Sequence, residues 1–456
     1  MARGLWPGVY CSLIDNCFFW YLGHTKQLQT MRKRLLGLIA LFYIILNTTN
    51  AQPARSDSAR MVWFDDAKFG IFIHWGIYSV KGVDESWSFF NGYTSHDSYL
   101  EQLKGFTASK YNPDSWANLI AESGARYAVL TSKHHDGVAL WQVPDKGLNV
   151  VDNTPAGRNL IKPFVEAVRK KGIKVGLYYS LPDWSHPDYP LEARDTYRYK
   201  NDSLRFKKFL SIQRGQLMDL LTQFNPDLLW FDGDWEHSAK EWDASDIRKS
   251  LIEKSPNLII NSRLQGYGDY ATPEQGLPVE KPKDRYWELC LTMNNSWGYQ
   301  PTDNKYKSAD QLIAILADCI SMGGNLLLDI GPKEDGTIVK EQADILKDMG
   351  RWVKKHQKAI FGSRAGLPAG RFDGPTTFSS DGKTLYLFVP NHAYGWLPIK
   401  GLNKKITHVK LVGDGTNLDW YESGRAWWSE TPGIYYIYLP ESLRDSSMSV
   451  IAVHLK

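Results

Sequence analysis

The chain has 456 residues, 43% hydrophobic and 23% charged, with 54 Lys+Arg against 50 Asp+Glu and four cysteines. That composition excludes a disordered chain, a collagen-like repeat and a disulfide-rich miniprotein, and the length exceeds the roughly 250 residues of one barrel domain, so a second, smaller domain is expected. The formal charge of +4 does not indicate a nucleic-acid partner: five basic side chains (Arg3, Lys26, Arg32, Lys33, Arg34) and one acid, Asp15, fall in the first 51 residues, and the remainder balances with no basic run.

From Met31, the sequence MRKRLLGLIALFYIILNTTNA joins a basic start to an apolar run, Leu35 to Leu46, and a small or polar close at Ala51. This is the pattern of an export signal. The run is shorter than the roughly 20 residues needed to span a bilayer, and no cysteine follows Ala51 to carry a lipid, so no transmembrane anchor is expected. The expected division is a spurious N-terminal extension (1–30), a signal peptide (31–51), a large first domain (52–361) and a smaller C-terminal domain (362–456). The implied location is periplasmic or extracellular, or a lysosomal-type compartment in a eukaryote. Cleavage would leave Cys290 and Cys319, either as a disulfide or as two buried thiols, and neither has metal-site spacing.

Candidate strands run over Phe69–His74, Tyr127–Ser132, Ile173–Ser180, Asp227–Phe231, Leu258–Ser262 and Asn325–Ile330. Helical patterns separate or follow them at 114–123, 159–171, 204–223, 243–254, 309–321 and 339–357. Repeated strand–helix alternation over this length predicts an α/β fold, a (β/α)8-like (TIM-type) barrel. Beyond Gly362 the pattern changes: TTFSSDGKTLYLFVP, ITHVKLVGDG, LDWYESGRAWWSE, GIYYIYLPE and MSVIAVHLK are β-type runs between Gly, Asp and Pro turns. They predict an antiparallel β-sandwich whose packing accounts for Trp420, Trp427 and Trp428.

Barrel enzymes place their chemistry at the carboxyl ends of the strands. Those ends carry His74, then Lys133, His134, His135 and Asp136, then Tyr178, Tyr179 and Ser180, then Asp232, then Arg263. Imidazoles, phenols and a guanidinium bond hydroxyls in fixed directions, while Trp75, Trp87, Trp230 and Trp297 can cover the apolar face of a small ring. Two carboxylic acids are the minimum for cleaving a glycoside. Asp232 is the natural nucleophile, and spacing alone leaves the acid open among Glu274, Glu288, Asp234 and Glu236.

FGIFIHWGIYSV, TSKHHDGVALW, GLYYSLPDW, LLWFDGDW, TPEQ, TMNNSWGY and GGNLLLDIGPKEDG, in this order, resemble the retaining α-L-fucosidases of glycoside hydrolase family 29, of the exported bacterial type, over about Met61 to Ala359. The resemblance implies an exo-acting, metal-free and cofactor-free double displacement through a covalent fucosyl-enzyme. It also implies fucosylated oligosaccharides or glycoconjugates as substrate. It makes Asp232 the nucleophile, His74, His134 and His135 ligands of sugar hydroxyls, Tyr178, Trp230 and Arg263 pocket residues, and Trp87 and Trp297 its walls. Glu274, 42 residues after Asp232 in a Thr-x-Glu context, matches the acid/base, with Glu288 as runner-up. The two carboxyls would lie about 5–5.5 Å apart. Many members have an acid immediately before the pocket Trp, whereas here Ser86 holds that place and Glu85 precedes it; Asp329 stands where Asn is common and reads as structural.

Two other classes fit the residues less well. A metal-dependent hydrolase could use His74, His134, His135 and Asp136, but adjacent strand residues such as His134 and His135 point to opposite faces. A catalytically dead carbohydrate-binding protein would have no reason to keep Asp232 with several nearby acids. N-terminal sequencing of exported material should begin at Gln52; recovery of residues 1–30 would contradict both the extension and the signal.

Overall fold

Apolar runs without alternation need cover on both faces. The computed structural model describes residues 59–192, 197–200 and 202–456, so the expected signal and upstream extension lie outside the described residues. Its parallel strands are β1 (Phe69–Ile73), β2 (Tyr127–Lys133), β3 (Lys174–Ser180), β4 (Leu228–Asp232), β5 (Ile259–Ile260), β6 (Glu288–Thr292) and β7 (Asn325–Ile330). They form one sheet in the order β5-β4-β3-β2-β1-β7-β6. Strand β6, which begins at Glu288, is not among the strands expected from the apolar runs. Strand β5 is shorter than its apolar pattern because the Asn261 amide takes over the ladder, bonding the Phe231 N–H at 2.8 Å and its carbonyl at 2.9 Å.

No ladder joins β5 to β6. Instead, parallel bridges Asn261–Tyr270, Ala271–Trp287 and Glu274–Cys290 hold residues 270–274 between them as an irregular eighth stave. The sheet therefore curls into a (β/α)8-like barrel. The helices Pro113–Glu122, Ile161–Lys170, Ser203–Phe224, Ala244–Lys254, Ala309–Ser321 and Lys340–Ile360 fall where the periodicity put them. Local chemistry sets their ends: Asn112 caps the first of these with Pro113 in its first turn, and Ser308 and Gln311 make a reciprocal capping box.

Alternation along the strands sorts side chains between two cores. Phe72, Tyr127, Val129, Tyr178, Leu228, Trp230, Ile259, Cys290 and Leu327 fill the barrel, while the opposite parity packs under the helices. Gly70 makes this filling feasible: a β-carbon there would sit 2.4 Å from the Tyr127 ring, which crosses the interior to reach Glu288.

After the barrel, β8 (Arg364–Ala365), β9 (Thr376–Phe378), β10 (Thr384–Pro390), β11 (Gly395–Lys400), β12 (Ile406–Leu411), β13 (Trp420–Ser423), β14 (Ile434–Leu439) and β15 (Met448–Leu455) form two antiparallel sheets. Their orders are β12-β15-β10-β9-β8 and β11-β14-β13. Leu385, Leu387, Ile399, Ile437 and Val453 pack between them. The other face of the larger sheet joins the barrel's outer core through Phe388 and Val450, and the Trp352 indole donates to the Met448 carbonyl at 2.7 Å. Trp420 packs against the sandwich core as expected, but Trp427 and Trp428 are exposed on the loop after β13, so packing does not explain them. Cys290 and Cys319 are both free and buried.

Asp269 anchors the turn leading into the irregular stave. Its carboxylate accepts from Arg60 Nη2 at 3.0 Å, Arg248 Nη2 at 2.7 Å and the Ile260 N–H at 2.9 Å, all in buried surroundings. Asp269→Ala would strand two buried guanidinium groups and is expected to cost about 3–5 kcal/mol in denaturant unfolding.

Candidate active site

The parity that fills the barrel also dictates its upper layer. Two residues beyond Trp230 on β4 comes Asp232; two beyond Phe72 comes His74; two beyond Leu327 comes Asp329. The sheet thus changes from apolar to ionisable at one depth, at the carboxyl ends of its strands.

Asp232 Oδ1 accepts from Arg263 Nη1 at 2.9 Å, and Oδ2 accepts the Tyr178 hydroxyl at 3.0 Å with His135 Nε2 3.6 Å away. The second arm of the same guanidinium, Nη2, donates to Glu274 Oε2 at 2.6 Å. Arg263 is kept flat by its Nε bond to Thr272 Oγ1 at 3.1 Å and lies over the Trp230 ring, 4.6 Å from its centroid. One planar fork therefore holds both carboxylates.

Three imidazoles complete the chamber, and each is fixed through Nδ1: His74 to Asp329 Oδ1 at 2.7 Å, His134 to Ser86 Oγ at 2.6 Å, and His135 to Ser180 Oγ at 2.7 Å. Anchoring at Nδ1 orients the ring and leaves Nε2 to meet a ligand. Burial depresses all three, His74 and His134 well below the ordinary histidine range and His135 to about 3. They are neutral, directional hydrogen-bonding groups rather than cations.

Trp297 stands beside His74, with ring centroids 5.0 Å apart, and meets Phe72 at 6.1 Å. Trp87 lies 5.6 Å from His135 on the other side, and Tyr178 stacks between Trp230 and His134. His74, Trp87, His134, His135, Tyr178, Trp230, Arg263 and Trp297 thus form one connected set with Asp232, whereas Trp75 and Glu288 do not join it.

Several rim residues turn elsewhere. Trp75 packs among Phe106, Tyr111 and Trp116 under the helices and is no pocket wall. Lys133 lies over the Tyr179 ring and 3.6 Å from Asp183, and the Tyr179 hydroxyl donates to Gln216. Asp136 ties down its own loop, accepting from Tyr99 and from the Val138 N–H. Asp234 and Glu236 likewise serve the backbone and neighbouring aromatics rather than the cavity. The expectation that His134 and His135 face opposite ways fails because β2 ends at Lys133; beyond it the alternation lapses and the two rings lie 4.4 Å apart. Among the described residues, no three His, Cys, Asp or Glu side chains are grouped as a metal site.

Glu288 sits at the amino-terminal end of β6, fully buried, where it accepts from Tyr127 at 2.5 Å and from Trp230 Nε1 at 3.0 Å. It supports the pocket floor from beneath. Glu85, whose role the sequence left open, accepts the Gly298 N–H at 2.5 Å and ties down the Trp297 segment. Asp329, read as structural, touches His74 directly; the same parity that places His74 would have found it.

A family model described as Alpha-L-fucosidase matches residues 46–358. The chain belongs to the alpha-L-fucosidase family. Within that family it is 32% identical over 434 residues to the tissue alpha-L-fucosidase of Homo sapiens, covering 84% of this chain and 91% of that protein. Alpha-L-fucosidase isoenzyme 1 from Paenibacillus thiaminolyticus is 31% identical with a TM-score of 0.79, covering 88% of this chain and 99% of that one. The Thermotoga maritima alpha-fucosidase in complex with fucose is 29% identical with a TM-score of 0.72, covering 86% and 96%. A GH29 alpha-L-fucosidase from Bacteroides thetaiotaomicron, solved as a trapped covalent intermediate with 2-fluoro-fucosyl fluoride, is 27% identical with a TM-score of 0.77, covering 89% and 98%. Because mammalian and bacterial relatives both match, membership does not single out a bacterial exported type.

Burial pushes Glu288 and Glu85 up from 4.5 to about 7. Between those values the folded chain holds protons that the unfolded chain has released, so their stabilising contribution is complete below about pH 4.5 and is lost as pH rises through about 7. Glu288→Gln removes one such group. Denaturant titrations should show the stability of Glu288→Gln relative to the unsubstituted protein improving by about 3 kcal/mol between pH 4.5 and 8.

Proposed function

We propose that Asp232 is the nucleophile and Glu274 the acid/base of a retaining exo-α-L-fucosidase, exported by residues 31–51 and acting on fucosylated oligosaccharides or glycoconjugates. The observation that carries the assignment is the Arg263 fork, with Asp232 on one nitrogen and Glu274 on the other. This geometry favours Glu274 over Glu288. Glu274 is partly open to solvent at the mouth, where a leaving group must depart, whereas Glu288 lies beneath Trp230 with both oxygens engaged.

The pocket chemistry suits an uncharged 6-deoxy sugar. Nε2 atoms of His74, His134 and His135 are available for its hydroxyls, and Phe72, Trp230 and Trp297 offer an aromatic surface to its apolar side. Trp230 and the aromatic layer below close the barrel, so a sugar enters from one end only and a terminal residue is cleaved.

In the first half-reaction Asp232 attacks the anomeric carbon and the glycosidic C–O bond breaks, while Glu274 passes its proton to the departing oxygen. In the second, Glu274 takes a proton from water, whose oxygen displaces Asp232 and releases L-fucose with retained configuration. Tyr178 and Arg263 hold the Asp232 carboxylate in line for attack and stabilise it again as it leaves. A sugar-binding protein without turnover would not need two carboxylates on one guanidinium.

Asp232→Ala should lower kcat on an aryl α-L-fucoside on the order of 10⁴-fold with the fold intact by circular dichroism. Glu274→Ala should lose about 10²–10⁴-fold on poor leaving groups and far less on activated ones, with azide restoring turnover as fucosyl azide. If Glu288→Ala shows the azide rescue instead, the acid assignment moves there.

A further inference from the structure

The nucleophile is followed by Gly233, in the left-handed region at φ 81, where a β-carbon would lie 2.2 Å from the Pro182 ring. The chain then makes one 3₁₀ turn, Asp234–Glu236. Both outer residues of that turn are tethered. Asp234 Oδ2 accepts the Gln265 N–H at 2.6 Å; Glu236 Oε1 accepts the Trp184 indole at 2.7 Å, and its second oxygen accepts the Tyr189 hydroxyl. Between them Trp235 is 51% exposed.

An isolated exposed tryptophan needs no explanation. This one sits on pinned backbone three residues past the nucleophile, and its ring is placed with some care. It lies nearly parallel to Trp87, at 16° with centroids 6.2 Å apart, and edge-on to His135 at 6.0 Å. His135 in turn is 3.6 Å from Asp232. From the buried His135 through the half-buried Trp87 to the exposed Trp235, the aromatic surface climbs out of the sugar pocket to the mouth. Glu274, whose side chain is 37% exposed, occupies the mouth as well. An acid that protonates the departing oxygen must touch the leaving group, so the leaving group lies at this depth, outside the chamber that holds fucose.

We propose that Trp235, extending the shelf begun by Trp87, is the platform for the sugar ring on the leaving side of the scissile bond. The site would take a pyranose, whose apolar face stacks on the indole, in preference to a small aglycone. This assignment rests on the reading of Asp232 and Glu274 given above. Because the turn is fixed before substrate arrives, the ring is bound without ordering a loop, and the gain appears in capture of the oligosaccharide.

The test compares kcat/KM for a fucosylated disaccharide with kcat/KM for α-L-fucosyl fluoride, whose leaving group is too small to reach the shelf. In Trp235→Ala the ratio of disaccharide to fluoride should fall about tenfold, the value of one lost stacking contact. Trp235→Leu, which keeps apolar bulk without a ring face, should fall similarly, and Trp235→Phe should recover most of the ratio. An unchanged ratio in the alanine and leucine variants, whether both substrates slow together or neither does, overturns the platform. Failure of the unsubstituted enzyme to release fucose from either substrate would instead overturn the fucosidase reading itself.

Discussion

Residues 270–274 touch β5 through Asn261 and β6 through Trp287 and Cys290, and these three bridges turn a seven-stranded sheet into a barrel. The site depends on that closure. A regular strand would spend its backbone on two ladders and give its side chains fixed parity; this stave is held at single points and needs buried anchors instead, chief among them Asp269 between Arg60 and Arg248. Its looseness has a use. Glu274 leaves the stave at the rim, near enough for the Arg263 arm that does not hold Asp232. Barrel closure and the pairing of the two carboxylates are thus one structural event.

Around Asp232 burial holds most of the ionisable groups uncharged. Three imidazoles are held neutral by burial, and Glu288 and Glu85 are pushed toward their protonated forms by the same cause. Against that background the Arg263 guanidinium and the carboxylate of Asp232 act in surroundings where water screens them little. An uncharged sugar is recognised by hydrogen-bond direction and by aromatic faces. Each histidine is fixed at Nδ1 through a different strand or loop, so the orientation of the three rings is decided by the barrel rather than by any one segment.

The carbonyl-end residues were legible because parallel strands buried on both faces write themselves as uninterrupted apolar runs, and the next residues must then stand at the rim. The rim positions of Asp232, His74, Tyr178 and Arg263 follow from that reading, while what set them apart from Lys133, Asp136 and Tyr179 was the family resemblance. Adjacent residues were harder. Tyr178 and Tyr179 differ only by parity, yet one bonds Asp232 and the other bonds Gln216 beneath a helix. His134 and His135 ought to diverge by the same rule and do not, since the strand has already ended. Trp75, one step past His74, went to the outer core for the parity reason that was not applied to it.

By itself the sequence determined six of the seven barrel strands with their helices, the C-terminal β-region and the set of residue types at the rim, because each is written in local periodicity over a few neighbouring positions. The family, too, was legible there, in motifs spread along the chain. The choice between Glu274 and Glu288 was not. Both are acids between Asp232 and β7, and nothing local distinguishes an acid on an irregular stave at the mouth from one at the buried foot of a strand. Only the closed barrel does so, by bringing Arg263 against one and Trp230 and Tyr127 against the other. Contacts across more than a hundred residues of chain, such as Tyr127 with Glu288, leave no periodic trace in sequence, and they decide which carboxylate stands beside Asp232 on the Arg263 fork and which is buried beneath Trp230.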